Sequence, residues 1–188
     1  MLEIFGNKVS LTLQMKYIND PKIASDAAKS ESTSAEDLEL LASSQHIFVR
    51  EAVAENPHTP ANTLKALFPS SLETDNNVRI ALAVVKNSVH GNEFLLTTAS
   101  MVRSNLSLFE PRNCYPMMLI EAIASHPQVT IDKISPLLDP TSIPRHIRDR
   151  IARIAIQEEL LIKLSQDPAQ TVRSRATKRI AMLKTESL

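Results

Sequence analysis

The sequence predicts an all-α fold, an α-solenoid of about six degenerate two-helix repeats, and three observations carry that expectation. First, the segment Val49-Arg50-Glu51-Ala52-Val53-Ala54-Glu55-Asn56-Pro57-His58-Thr59-Pro60, continuing to Leu64 and Leu67, recurs along the chain. A shift of 26 residues lays Ala28, Thr33, Ala35, Leu38 and Leu41 onto Ala54, Thr59, Ala61, Leu64 and Leu67. A shift of 70 lays Glu121, Ala122, Ala124, Pro127, Ile134 and Leu137 onto Glu51, Ala52, Ala54, Pro57, Leu64 and Leu67. Repetition at such periods marks units that cannot bury an apolar face alone and stack into one continuous core. Second, apolar residues make up 43% but aromatics only 4%, with no Trp, so the core is Leu, Ile, Val, Ala and Met. That composition suits close helix packing better than strands, where aromatic and β-branched residues dominate. Third, 2 Gly stand against 11 Pro. Tight hairpins want Gly, whereas Pro is tolerated in the first helical turn and ends whatever helix precedes it.

In chain order, Leu11, Leu13, Met15, Tyr17 and Ile18 run into Asn19-Asp20-Pro21. This reads as a helix stopping before proline, because the residue ahead of Pro is pushed out of the α region. Residues 1–20 are assigned to an N-terminal cap of a single 1–188 repeat domain. Longer helices of a first kind are expected at about 22–30, 47–55, 77–87, 116–125, 144–156 and 169–184, on apolar periodicity. Shorter ones are expected at about 35–42, 60–68, 91–102, 130–138 and 157–165. Ser34 reads as an N-cap with Asp37 as its capping-box partner, Thr59-Pro60 as a cap followed by a first-turn proline, and Thr130 as another start. Residues 166–188 are read as a C-terminal capping helix, and Ala54 and Ala124 as small residues between helices.

Arg50, Arg79, Ile120, Arg148 and Arg173 mark the repeat spacing, with gaps of 29, 41, 28 and 25. Each arginine follows a core-facing β-branched residue and so sits at the edge of the apolar stripe. Its stem covers apolar surface there and its guanidinium reaches a neighbouring unit, with Asp75 and Asp167 as nearby carboxylates. The long gap points to an insertion at 100–116, and insertions in repeat arrays map to loops on one face that often bind. Arg103, Phe109, Arg112 and Tyr115 there are residue types found at interface hot spots, and are the expected partner-binding residues. The other reading of this segment tucks Leu106, Leu108 and Phe109 back onto the core.

The net charge is zero, from 21 basic and 21 acidic residues, but it is polarised. Residues 1–75 hold 6 basic and 11 acidic residues, a balance of −5, and residues 140–188 hold 10 and 5, a balance of +5. Arg145, Arg153, Arg175 and Arg179 are candidate phosphate-binding residues, although no aromatic interleaves them to stack on bases. The lone Cys114 excludes an internal disulfide or a four-cysteine metal site. Glu3, Lys8 and Lys16 interrupt the apolar N-terminus, which argues against a signal peptide or membrane span and for a cytoplasmic protein. The histidines (His46, His58, His90, His126 and His146) form no i, i+4 pair, so no zinc-protease pattern is present, and no cofactor or catalytic residue is expected. His58 and His126, beside prolines at helix ends, are expected to satisfy backbone carbonyls.

The copies around Val49–Pro60 and around Glu158-Glu-Leu160-Leu161-Ile-Lys-Leu164-Ser-Gln-Asp167-Pro168-Ala-Gln-Thr-Val172-Arg173 resemble the leucine-rich repeat variant family of bacteria. They are also similar to HEAT-like repeats, in which Asp-Pro-x-x-x-Val-Arg opens a helix. The spacings favour the shorter variant unit over HEAT units of ~40–47 residues. The resemblance implies a right-handed superhelix of alternating longer and shorter helices and no conserved chemistry. The variant family's founding type carries a cysteine cluster for an iron–sulfur centre, but residues 1–20 here hold no Cys. Some HEAT-like proteins are DNA glycosylases that lean on Trp and Asp in a basic groove, and this chain has no Trp. The expected function is a non-catalytic protein-interaction scaffold or adaptor. Nucleic-acid association through the C-terminal arginines is the alternative, with a repair glycosylase behind it.

Overall fold

The computed structural model describes residues 20–186, and the apolar run 11–18 and all but Asp20 of the expected N-terminal cap lie outside them. The described residues form eleven α-helices and three short 3-10 turns, with no strand among them. The longer helices are α1 (Pro21–Lys29), α3 (Ile47–Glu55), α5 (Asp75–Lys86), α7 (Cys114–Ser125), α9 (Arg145–Ile154) and α11 (Gln170–Glu186). Between them lie α2 (Ala35–Leu41), α4 (Ala61–Leu67), α6 (Leu95–Ser104), α8 (Ile131–Ile134) and α10 (Glu158–Leu164). A 3-10 turn precedes α6 at Gly91–Phe94, and another follows α8 at Ser135–Leu137. Each longer helix packs against the next longer one, so the six make a continuous layer, with the shorter helices banked against it.

Side chains cap three of the helix starts among the described residues, those of α1, α2 and α5. Asp20 caps α1 by accepting from the Lys22 and Ile23 amides at 2.8 and 3.3 Å. Ser34 accepts from the Asp37 amide at 3.1 Å. The return half of that capping box is missing, because Asp37 Oδ1 has no hydrogen-bond partner. Thr59 does not cap α4: Pro60 occupies the N-cap, and the Thr59 hydroxyl donates backward to the Val53 carbonyl. Thr33 does the same to Ala27, so the two threonines related by the 26-residue shift tie the turn to the preceding helix. Thr130 stands at the N-cap of α8 but makes no side-chain cap bond.

The units are joined at the carboxyl ends of the longer helices, where the last carbonyls lack partners in their own helix. Asn56, the C-cap of α3, donates through Nδ2 to the Ala28 and Ser30 carbonyls of the unit before it, at 2.8 and 2.9 Å. Asn87, the C-cap of α5, donates in the same way to Ala54 and Asn56 at 2.9 and 2.8 Å. Their Oδ1 atoms accept from the turn that follows, from His58 in one case and from Val89 and His90 in the other. Each amide therefore staples two consecutive units while holding its own turn. Asn87 is fully buried, so truncation strands several backbone groups away from water. Asn87→Ala is expected to cost about 1–3 kcal/mol, read as a lower urea midpoint, while the same change at exposed Asn62 of α4, where Ala is the better helix former, does not lower it. Beside this joint Gly91 sits against α5, and a Cβ there would lie 2.3 Å from the Val85 carbonyl oxygen, so only glycine fits.

The core is almost entirely aliphatic and follows the array. One cluster runs from Leu72 through Ile120, Ile123, Ile147 and Leu161 to Ala176, and smaller ones gather Ala24, Leu38 and Val53, then Ala54, Leu64 and Val84. Ala54 and Ala124 are fully buried. The segment 100–116 contains the end of α6, a 3-10 turn at Leu106–Leu108 and the start of α7. Phe109 is completely buried and belongs to the main core, which corrects its expected role as a surface anchor. Phe109 is the packing residue of the segment, and a ring with no exposed surface has nothing to offer a partner.

Candidate interaction surface

Two shallow grooves of about 360 and 540 Å³ run along the layer of longer helices. They share Lys86 of α5 and Met118 of α7 and so form one trough. The first is lined by Phe48 and Glu51 of α3, Arg79 and Leu82 of α5 and Tyr115 of α7. The second continues over Val85, Glu121, Ala122, His126 and Gln128. Phe48 and Tyr115 are each 41% exposed, large rings left in water on a face that is otherwise half polar.

Arg79 organises the first groove. Its Nε and Nη2 donate to the two carboxylate oxygens of Glu51 at 2.7 and 2.6 Å, a bidentate pair that fixes the guanidinium plane. The same guanidinium lies 5.3 Å from the centre of the Tyr115 ring. The Glu51 hydrogen bonds raise the arginine's affinity for its proton, although burial opposes this. The result is a stacked Glu–Arg–Tyr platform crossing three helices, with Phe48 on its rim.

The helix-opening arginines divide by position. Arg50, Arg148 and Arg173 are each the fourth residue of their helix, and each turns back to donate to carbonyls of the turn before it. These are Ser44 and Gln45 for Arg50, Ile143 for Arg148, and Asp167 and Pro168 for Arg173. Only Arg79, one position later in its helix, reaches the unit before it, and its partner is Glu51, not the expected Asp75. Asp167 pairs with Arg148 at 2.7 and 3.2 Å, both side chains being almost wholly buried. Burial pushes the Asp167 carboxyl up, but the Arg148 hydrogen bonds, the Ala169 amide and the two arginine charges outweigh it and leave it below the usual range.

The other expected site residues scatter. Arg103 lies 3.6 Å from Asp139, away from the trough. Asp139 also accepts from Ser142 and Thr141, which with Arg103 brings its pKa down to about 2. Arg112 is exposed in the turn before α7, and Tyr115 alone of the four lines the trough. Among the C-terminal arginines, Arg153 and Arg175 converge on Asp149 at 3.4 and 2.5 Å. Arg179 donates to the Ala155 carbonyl at 3.2 Å, and Arg145 is exposed at the start of α9. Phe48, Glu51, Arg79 and Met118 are trough residues that were not expected to form a site. Phe48 was detectable, since it precedes core Val49 and so falls about 100° off the buried stripe.

Among the described residues, no cluster of His, Cys, Asp and Glu is arranged to hold a metal ion, and no helix is long and apolar enough to cross a membrane. Cys114 is exposed, with its Sγ 3.7 Å from Met118 Sδ. Comparisons with family models, with curated proteins and with solved structures give no match.

Proposed function

We propose that this protein is a right-handed α-solenoid of leucine-rich repeat variant or HEAT-like type that serves as a non-catalytic cytoplasmic scaffold, binding a protein along its layer of longer helices. The observation that carries this reading is the trough, where exposed Phe48 and Tyr115 flank an immobilised Arg79–Glu51 pair. Aromatic and arginine side chains dominate binding energy at protein interfaces, and a guanidinium already held in place loses little freedom on association. The stapled, consecutive units support the repeat reading because each contacts mainly its neighbours.

The competing reading, phosphate binding by Arg145, Arg153, Arg175 and Arg179, is weakened by Asp149, which pairs with the second and third of these and halves their combined charge. Affinity purification from the protein's own cells separates the two. Phe48→Ala with Tyr115→Ala should keep the helical circular-dichroism spectrum, with only a small fall in unfolding midpoint, while losing the bound protein. Reversal of charge at Arg145 and Arg153 should leave that protein bound. Loss of salt-sensitive nucleic acid in the charge-reversal variant, with the aromatic variant unaffected, overturns the proposal.

A further inference from the structure

The C-cap positions of three consecutive longer helices, α3, α5 and α7, are occupied by Asn56, Asn87 and then His126. An asparagine amide does two things there: Oδ1 accepts from the following turn, and Nδ2 donates to the unit before. His126 keeps the first role, since its Nδ1 accepts from the Gln128 amide at 3.1 Å. This also corrects the expectation that His126 satisfies a carbonyl. The crossing between units is made here by an exposed pair of side-chain amides, Asn92 and Gln128. His126 also lines the wider, 540 Å³ groove at this joint between α5 and α7.

An acceptor at Nδ1 puts the single proton of the neutral ring on Nε2. A second proton turns Nδ1 into a donor that faces the Gln128 N–H, donor against donor. An asparagine in the same position has no such transition. The charged groups around the ring are Lys86 of α5, Glu121 of its own helix, Arg150 of α9 bound to that Glu121, and Lys133 of α8. The one carboxylate is already paired with Arg150, so nothing nearby compensates an imidazolium.

We propose that His126 makes the α5–α7 joint acid-sensitive: protonation releases the Gln128 turn and loosens the wall of the groove, while the joints held by Asn56 and Asn87 are indifferent to pH. Burial first, and then the charge of Lys133, hold the histidine below its ordinary pKa in the folded protein. The unfolded chain therefore binds the proton more readily. The contribution of the neutral ring is complete above the unfolded value of about 6.5 and is lost as pH falls through it toward the native pKa.

Native-state hydrogen exchange by NMR, followed between about pH 8 and pH 5, tests this. After correction for intrinsic exchange, Gln128 amide protection should fall by about tenfold or more, in step with titration of the His126 ring. The His58 and Val89 amides, held by Asn56 and Asn87, should keep theirs. His126→Asn should hold Gln128 protection constant across the range. Protection at Gln128 that ignores the ring titration in the wild type, or an equal acid loss in His126→Asn, overturns the proposal. Should the variant fail to fold, the wild-type exchange and titration curves decide by whether they coincide.

Discussion

Asp167→Ala is expected to lower stability by about 3–5 kcal/mol, the cost of leaving one member of a buried ion pair alone. Arg148 would lose both of its carboxylate bonds while its guanidinium stayed in the core, almost without exposed surface. The Ala169 amide would lose its acceptor as well, so the start of α11 loosens together with the first turn of α9. In a chain of this size that is a fall of roughly 6–20 °C in Tm. Replacing both partners with apolar residues of similar volume should cost far less, because the main penalty is the orphaned charge. The same pair fixes an acid limit. The folded carboxyl titrates below its unfolded value of about 3.9, so its contribution is complete above that pH and is lost as pH falls from there through the lower, folded pKa. Urea midpoints of the single and double variants, measured at neutral pH and in steps from about pH 4 down to about pH 2, check both statements.

Phe109→Ala is the second large effect, about 3–5 kcal/mol, as for other large-to-alanine changes in a closed core. The ring is fully buried, and its own backbone carbonyl bonds a His146 ring nitrogen at 2.7 Å, so collapse of the site is resisted from both sides. Tyr115→Ala, six positions on, should cost only about 0.5–1 kcal/mol, the worth of an exposed ring stacked on an arginine. Thermal unfolding of the two variants side by side gives the comparison. Near-equal losses would mean that Phe109 is not the residue holding the 100–116 segment to the core.

The layout of charge shows why some features escaped sequence reasoning. Glu51 pairs with Arg79, Glu55 with Lys86, Glu121 with Arg150 and Asp149 with Arg175, in each case an acid on one longer helix and a base on the next. A partner displaced by one unit toward the C-terminus accounts for part of the polarity between the acidic first 75 residues and the basic last 49. The basic end therefore reads as a free phosphate surface in sequence, whereas Asp149 occupies its middle. Of these only Lys86–Glu55 is exposed on both sides and so worth about 0–1 kcal/mol; together the four pairs define the alignment between helices.

The sequence by itself determined the class of structure, the alternation of long and short helices and most of their boundaries to within two residues, the exceptions being the start of α6 and the end of α8, where 3-10 turns take four and three of the expected positions. Those properties follow from chemistry inside a single turn or helix: apolar spacing, prolines at helix starts, Asp20 and Ser34 as caps, and the threonines that fold back six residues. Tertiary structure alone decided which atoms meet across units. Asn56 appears in the motif as a residue before proline, and its role as a staple depends on the Ala28 and Ser30 carbonyls arriving beneath it. The burial of Phe109, the choice of Glu51 over Asp75 by Arg79, and the trough beside Phe48 and Tyr115 likewise depend on the offset between stacked helices. Periodicity tells which face of a helix is buried, but a contact between units is set by how far each helix slides along the next, and no local pattern encodes that distance.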